Sequence, residues 1–82
     1  MHLHIVTPHG KAFEGKVEAV TLPGVKGQMT VLPGHAMLIS ALERGRVVVR
    51  DAGGRQHFRS GDGFVEVQHN TVTVLVSKCE KD

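Results

Sequence analysis

The chain has 82 residues and a net charge of +2 with its six histidines counted as neutral. A chain of this length holds one small domain, and we expect neither a membrane-spanning segment nor a secretory leader. The charge is too small to require a nucleic-acid partner, and the single cysteine excludes an internal disulfide, so we expect a cytoplasmic protein.

Short apolar runs separated by Gly, Pro, Asn and Asp predict strands, because almost no helical apolar period exceeds two turns. Turn signals between many short strands are typical of an all-β sandwich or small barrel, and this pattern alone does not separate the two. We expect a single domain over residues 1–82. The predicted strands cover residues 3–6, 17–22, 28–32, 36–42, 46–50, 55–60, 63–68 and 71–76, with a short extra strand near Ala12 and Phe13.

Alternation within these strands identifies the face of each strand that enters the core. The turns are predicted at residues 51–54 and at His69-Asn70, where Asn70 is expected in a left-handed conformation. The alternating residues expected in the core are Leu3, Ile5, Val47, Val49, Val72, Val74 and Val76.

Two Leu-Pro-Gly triplets stand ten residues apart, at 22–24 and 32–34. Proline fixes φ and lacks an N–H, and glycine accepts positive φ, so each triplet predicts a corner that ends a strand. The second corner presents His35 and Ala36 ahead of the apolar run 37–39. We expect a short, rigid, exposed loop, and the alternative is a simple tight turn with Met37 filling the core.

His2 and His4 lie one residue apart on a predicted strand, so both imidazoles point to one side and could share Zn²⁺ or Cu²⁺. A third ligand is needed, and no Cys-x2-Cys or His-x3-His spacing supplies one. We therefore predict an exposed polar strand face and no metal site. The residues that could complete a site by folding are His57, His69, Cys79 and Glu80.

All five arginines fall in one predicted hairpin, where Arg50 would face Arg55 and Arg46 would face Arg59. Facing like charges repel, so Glu66 or Asp62 should screen them, or an acidic partner should do so. The alternative function is thus a free-standing β-domain that binds an anionic ligand or nucleic acid through this hairpin. No aromatic residues interleave with the arginines, which disfavours nucleic acid.

No catalytic pattern is present. Ser40, Ser60 and Ser77 lie in no Gly-x-Ser-x-Gly elbow, Cys79 sits in a polar tail, and no phosphate-binding glycine loop occurs. The carboxylates are scattered without recognisable partners. We expect a protein that is not an enzyme and needs no cofactor.

Three blocks in order carry a family resemblance. They are Thr-Pro-x-Gly-x3-Glu-Gly-x-Val from Thr7, the segment 22–39 with its two Leu-Pro-Gly triplets, and Gly-x-Gly-Phe-Val-Glu-Val-Gln-x-Asn-x-Val-Thr-Val-Leu from Gly61. Over residues 3–76 the chain resembles the N-terminal β-sandwich domain of the epsilon subunit of F-type ATP synthases. The resemblance implies two stacked antiparallel sheets of about ten strands, a flattened jelly-roll-like sandwich.

The resemblance also implies a function. Epsilon subunits are non-catalytic parts of the central stalk that rotate with the gamma subunit as protons turn the membrane c-ring. The implied location is peripheral, at the cytoplasmic face of the bacterial inner membrane, with membrane association only through the complex. The residues implied to meet gamma and the c-ring are Gln28, Met29, Thr30, Pro33, Gly34, His35, Ala36, Met37 and Leu38.

The chain departs from the family pattern in two places. Many relatives have Gly-Glu-x-Gly where this chain has Gly-Gln-Met-Thr from Gly27, so an ion pair made there by relatives should become a weaker hydrogen bond. The side chains of Met29 and Thr30 also replace small residues. Residues 77–82 do not resemble the usual lead-in to the two-helix inhibitory hairpin of bacterial epsilon subunits, and we expect a subunit without it.

Overall fold

A computed structural model describes residues 1–82, which form ten strands. It contains no helix that is long and apolar enough to cross a membrane. The strands are β1 (His2–Thr7), β2 (Gly10–Lys16), β3 (Ala19–Gly24), β4 (Gly27–Val31), β5 (Leu38–Leu42), β6 (Gly45–Asp51), β7 (Gly54–Ser60), β8 (Gly63–Gln68), β9 (Thr71–Val76) and β10 (Cys79–Lys81).

The strands form two layers. Hydrogen bonds link them in the order β10-β7-β6-β3-β5-β8-β9-β1-β2, with β4 beside β3. The β3–β5 link is one residue pair, Gly24 with Leu42, so the sheet folds there into the layers β10-β7-β6-β3-β4 and β5-β8-β9-β1-β2. Phe13 of β2 meets Phe58 of β7 edge to face, 5.9 Å between centroids. This confirms the all-β sandwich, although β1 and β9 pair in parallel.

The core lies between the layers, and its residues come from the predicted strand faces. Every core residue expected from alternation is buried, and residues from β3, β4, β5, β7 and β8 complete the cluster. Burying these aliphatic side chains is the main stabilising contribution to a domain of this size. The added residues include Val20, Leu22, Val31, Leu42, Phe58, Val65 and Val67.

Two edge strands differ from the prediction. The segment expected as a short strand near Ala12 and Phe13 is the seven-residue β2, and the polar β10 was not expected. Only β1 pairs with β2, and only β7 pairs with β10. Most side chains of both strands are exposed, so backbone pairing rather than an apolar pattern defines them.

The first Leu-Pro-Gly triplet ends a strand as predicted, but the prediction that it forms the corner itself was wrong. Pro23 and Gly24 are the last two residues of β3, and the chain reverses at residues 25–26. Pro23 is tolerated because β3 changes neighbours here, and its carbonyl accepts a hydrogen bond from Glu43 N at 2.9 Å. Gly27, with φ of 127°, supplies the positive φ of the turn.

The other predicted turns are confirmed. His69 and Asn70 join β8 to β9 with φ of 50° and 63°, the left-handed pair of a two-residue hairpin. Asp51 Oδ1 accepts a hydrogen bond from Gly53 N at 2.8 Å in the turn that joins β6 to β7. Gly54, the first residue of β7 after this turn, has φ of 125°.

Candidate functional site: an exposed proline loop and its surroundings

Residues 32–37, here called the Pro33 loop, connect β4 to β5 across one end of the sandwich. His35 N donates a hydrogen bond to Leu32 O at 3.1 Å, which closes a four-residue turn. Gly34 has φ of 85°, so the turn has proline second and a positive-φ glycine third, as in a type II turn. The corner predicted at the second triplet is thus confirmed.

The Pro33 loop is attached to a distant hairpin. Gly34 N donates to Asn70 Oδ1 at 3.3 Å, and Asn70 is itself fixed in the β8–β9 turn. His35 Nδ1 lies 2.7 Å from Ala36 O, and because a carbonyl only accepts, this ring nitrogen carries the hydrogen. The loop is therefore held at its corner, whereas the imidazole contacts only the carbonyl of the next residue.

The loop presents apolar side chains to solvent. All six of its residues are exposed, and Met37 is 68% exposed, so the alternative in which Met37 fills the core is wrong. Ile39, at the start of β5, is 72% exposed beside it. Apolar side chains clustered on a fixed loop are typical of a docking surface.

Seven of the nine residues expected at the interface are exposed: Gln28, Thr30, Pro33, Gly34, His35, Ala36 and Met37. The other two, Met29 and Leu38, are half-buried and pack against the core. Thr30 Oγ1 lies 3.0 Å from Thr21 Oγ1 on the neighbouring strand. The structure thus places the expected residues along one edge, with two of them anchoring it.

A second exposed apolar surface was missed from the sequence. Ala41, Phe64, Leu75 and Val6 are successive cross-strand partners on β5, β8, β9 and β1, and we call them the apolar row. Phe64 is 57% and Leu75 is 50% exposed. Leu75 lies between the buried Val74 and Val76, and Phe64 precedes the buried Val65, so alternation places both side chains on the outer face.

The arginine hairpin has internal counter-ions. Arg50 faces Arg55 and Arg46 faces Arg59, as predicted. The expectation that Glu66 or Asp62 screens them is wrong: Asp82 lies 3.3 Å from Arg46 and 3.5 Å from Arg59.

The carboxylate of Glu18 lies 3.9 Å from Arg50 on the same hairpin. Asp62 instead accepts a hydrogen bond from Ser77 Oγ at 3.2 Å. Carboxylates of the chain itself thus lie beside three of the five arginines.

The histidine pair has a third neighbour that was not among the four expected. Glu14, opposite His4 on β2, places Oε2 3.3 Å from His2 Nε2 and 3.8 Å from His4 Nδ1. Its Oε1 accepts a hydrogen bond from Lys11 Nζ at 2.6 Å. The hydrogen bond from Lys11, and to a lesser extent that from His2, lowers the pKa of Glu14, so this carboxylate is ionised at neutral pH.

Two of the three serines have hydrogen-bond partners, and the thiol of Cys79 is unsuited to attack. Ser60 Oγ donates to Gly45 O at 3.4 Å, and Ser77 is engaged by Asp62. Burial, with a smaller contribution from Glu80, raises the pKa of the Cys79 thiol, which disfavours the reactive thiolate.

Comparison with known proteins gives a consistent result. Residues 1–82 match the sequence profile of the family described as ATP synthase, Delta/Epsilon chain, beta-sandwich domain. The ATP synthase epsilon chain of Citrifermentans bemidjiense is 37% identical over 81 residues, covering 99% of this chain and 59% of that protein. The epsilon chain of Campylobacter fetus is 43% identical over 77 residues, covering 93% of this chain and 60% of that protein.

Solved structures show the same fold. A chain of the Euglena gracilis mitochondrial ATP synthase, solved with OSCP, F1 and the c-ring, superimposes with a TM-score of 0.90 at 23% identity, covering 96% of this chain and 51% of that one. A chain of the Tetrahymena thermophila mitochondrial ATP synthase, from a structure of the central stalk and c-ring, superimposes with a TM-score of 0.80 at 19% identity. The match covers 96% of this chain and 64% of that one.

The chain therefore spans about three fifths of the length of the two curated relatives. The profile match covers every residue, and the all-strand fold agrees with the beta-sandwich that the family description names. The protein belongs to the β-sandwich domain family of ATP synthase delta and epsilon chains.

Proposed function

We propose that this chain is the β-sandwich part of an epsilon subunit and acts as a non-catalytic component of the central stalk of a proton-translocating ATP synthase. It couples rotation of the c-ring to ATP synthesis through contacts with gamma and the c-ring. The observation that carries this proposal is the Pro33 loop, which exposes apolar side chains from a backbone fixed at Gly34. Solved structures of similar fold that include the c-ring support the c-ring as a partner, and gamma is the second partner that we propose.

A rotor component must transmit force without deforming, and the loop has the required stiffness. Its corner is closed by the His35–Leu32 hydrogen bond and attached to Asn70. A loop that is ordered before docking loses little conformational entropy when it binds. Most of the contact energy then remains available to hold the partner.

The size of the contact requires more than the loop. A stable interface buries about 800 Å² on each partner, roughly a sixth of the 4959 Å² surface of this chain. The six residues of the Pro33 loop cannot supply that area alone. We propose that Ile39 and the apolar row extend the contact toward gamma, since β5 leads directly from the loop to this face.

The c-ring contact is proposed for the polar side chains of β4, the strand that leads into the Pro33 loop. Gln28 and Thr30 are exposed on this strand. A neutral amide at residue 28 forms weaker hydrogen bonds to polar c-ring loops than a carboxylate would form ion pairs. We therefore expect this contact to depend little on salt.

The complex places the chain peripherally at the membrane, on the cytoplasmic face in a bacterium. The proposal is tested by assembling the chain with the gamma subunit and c-ring of the same synthase. Met37→Asp and Ile39→Asp put a charge on the proposed contact and should weaken assembly at least tenfold. Ala52→Asp, an equally polar change in the exposed turn between β6 and β7, should leave assembly unchanged.

Equal assembly of all three variants would contradict the proposed interface. Retention of nucleic acid by the unmodified chain, lost steeply with salt, would favour the anion-binding alternative instead. The internal Asp82 and Glu18 contacts argue against that outcome.

A further inference from the structure

The cluster of His2, His4 and Glu14 lies on the outer face of the β1–β2 pair, opposite the buried Leu3 and Ile5. The three donor atoms lie within 4.8 Å of one another. Two imidazoles and one carboxylate form a set that suits Zn²⁺ and related transition-metal ions. We propose that this cluster is a binding site for a Zn²⁺-class divalent ion.

The spacing of the donor atoms supports the proposal. Ligands bound about 2.1 Å from a tetrahedral metal lie roughly 3.4 Å from one another. The distance from His2 Nε2 to Glu14 Oε2 is 3.3 Å, and that from His4 Nδ1 to the same oxygen is 3.8 Å. The donor atoms of His2 and His4 lie within 4.8 Å of each other, so the side chains must turn for all three donors to face one ion.

The backbone also favours this arrangement. His2 and His4 are two residues apart on β1 and share a face, and the register of β1 with β2 sets Glu14 directly opposite His4. The two rings already meet edge to face with centroids 4.6 Å apart. Three ligands thus come from two adjacent strands without any loop having to order.

Lys11 orients the carboxylate. Its Nζ holds Oε1 at 2.6 Å, which leaves Oε2 directed toward both imidazoles. Partners that fix the orientation of a metal ligand in this way raise affinity. The site would bind through one carboxylate oxygen and two ring nitrogens, with the remaining position open to water, since His2 and Glu14 are 44% and 43% exposed.

A bound ion would also fasten the edge of the sandwich. β2 is the last strand of its layer and pairs only with β1. The ion would join the two strands through side chains as well as backbone. Because only the folded chain assembles the three ligands, binding should raise the unfolding temperature.

The test is a calorimetric titration of the 82-residue chain with Zn²⁺ alone in a buffer that does not bind metals. We expect one ion per chain, and at free Zn²⁺ about a hundred times the Kd the unfolding midpoint should rise by about 10 °C or more. Protons compete for the ring nitrogens, so affinity should fall in acid. Co²⁺ in place of Zn²⁺ should give the visible absorption of a tetrahedral site.

Matched variants locate the site. His4→Gln and Glu14→Gln should each raise the Kd at least tenfold, whereas His57→Gln, which removes a histidine from β7, should not change it. No binding by the unmodified chain, or equal binding by all three variants, would overturn the proposal. Retained circular dichroism spectra and thermal midpoints without metal show that the variants are folded.

Discussion

The Pro33 loop and the arginine hairpin formed by β6 and β7 are both conspicuous in the sequence, and they differ in how the fold treats their side chains. The loop directs Met37 outward without any partner in the chain, whereas the hairpin places Arg46 and Arg59 beside Asp82. The loop has unused contact surface. The hairpin has charges that are already partly neutralised.

This difference shows that a residue type alone does not identify a contact surface, because its neighbours in the fold decide whether it is free to bind a partner. Apolar side chains that remain exposed on a fixed backbone gain free energy only by meeting a partner. Exposed arginines with nearby carboxylates gain little further, because water screens their interactions. The two regions should therefore respond differently to substitution.

The largest effect is expected from Gly34→Val. Valine at φ of 85° is strained, and we expect a loss of stability of about 2 kcal/mol and a weakening of gamma binding by at least tenfold. Thermal unfolding and assembly with gamma measure the two effects.

Gly54→Val is the matched control in the arginine hairpin. Gly54 also has positive φ, and an added Cβ meets no atom within 4 Å at either glycine. We expect a similar loss of stability and normal assembly. Equal loss of assembly in both variants would show that the loop has no special role.

A smaller effect is expected from Asn70→Ala. This change removes the acceptor that holds Gly34 N and puts alanine at φ of 63°, with an expected loss of about 1–2 kcal/mol. Asn70→Gly keeps the turn and loses only the acceptor, so it should be less destabilising. Both changes should speed hydrogen exchange at the Gly34 amide, and unchanged exchange would contradict the anchoring of the loop.

Asp82→Asn tests the other region. The Arg46 and Arg59 pairs with Asp82 are exposed on the arginine side, so their loss should cost no more than about 1 kcal/mol. Urea unfolding at low and high salt should show the difference only at low salt. A drop in assembly would indicate that the interface with the partner lies on the arginine hairpin.

The smallest effect is expected from His35→Ala. The imidazole is exposed and bonds only to the adjacent carbonyl of Ala36, so stability should change by less than about 0.5 kcal/mol. Chemical unfolding checks this. A larger loss of stability would mean that the imidazole ring helps to hold the loop in its conformation.

The sequence predicted what depends on local chemistry. Pro33 and Gly34 determine their turn through their own φ preferences, and the alternating valines of β6 and β9 identify the core without knowledge of the fold. The left-handed Asn70 follows from a two-residue connection in the same way.

Features that depend on distant partners were not predicted. Pro23 looked like a second corner, but β3 exchanges neighbours there and accommodates it. Asp82 lies beside Arg46, and Glu14 lies beside the two histidines, only because strands distant in the sequence pair with each other. That pairing cannot be predicted from either strand alone.

The most direct test of the central claim is thiol labelling of Met37→Cys in a Cys79→Ala background, measured before and after assembly with gamma and the c-ring. Met37 is 68% exposed in the isolated chain, so labelling should be fast there and at least tenfold slower in the complex. Ala52→Cys should label equally fast in both states. Unchanged labelling at residue 37, or protection at residue 52 instead, would contradict the docking of the Pro33 loop.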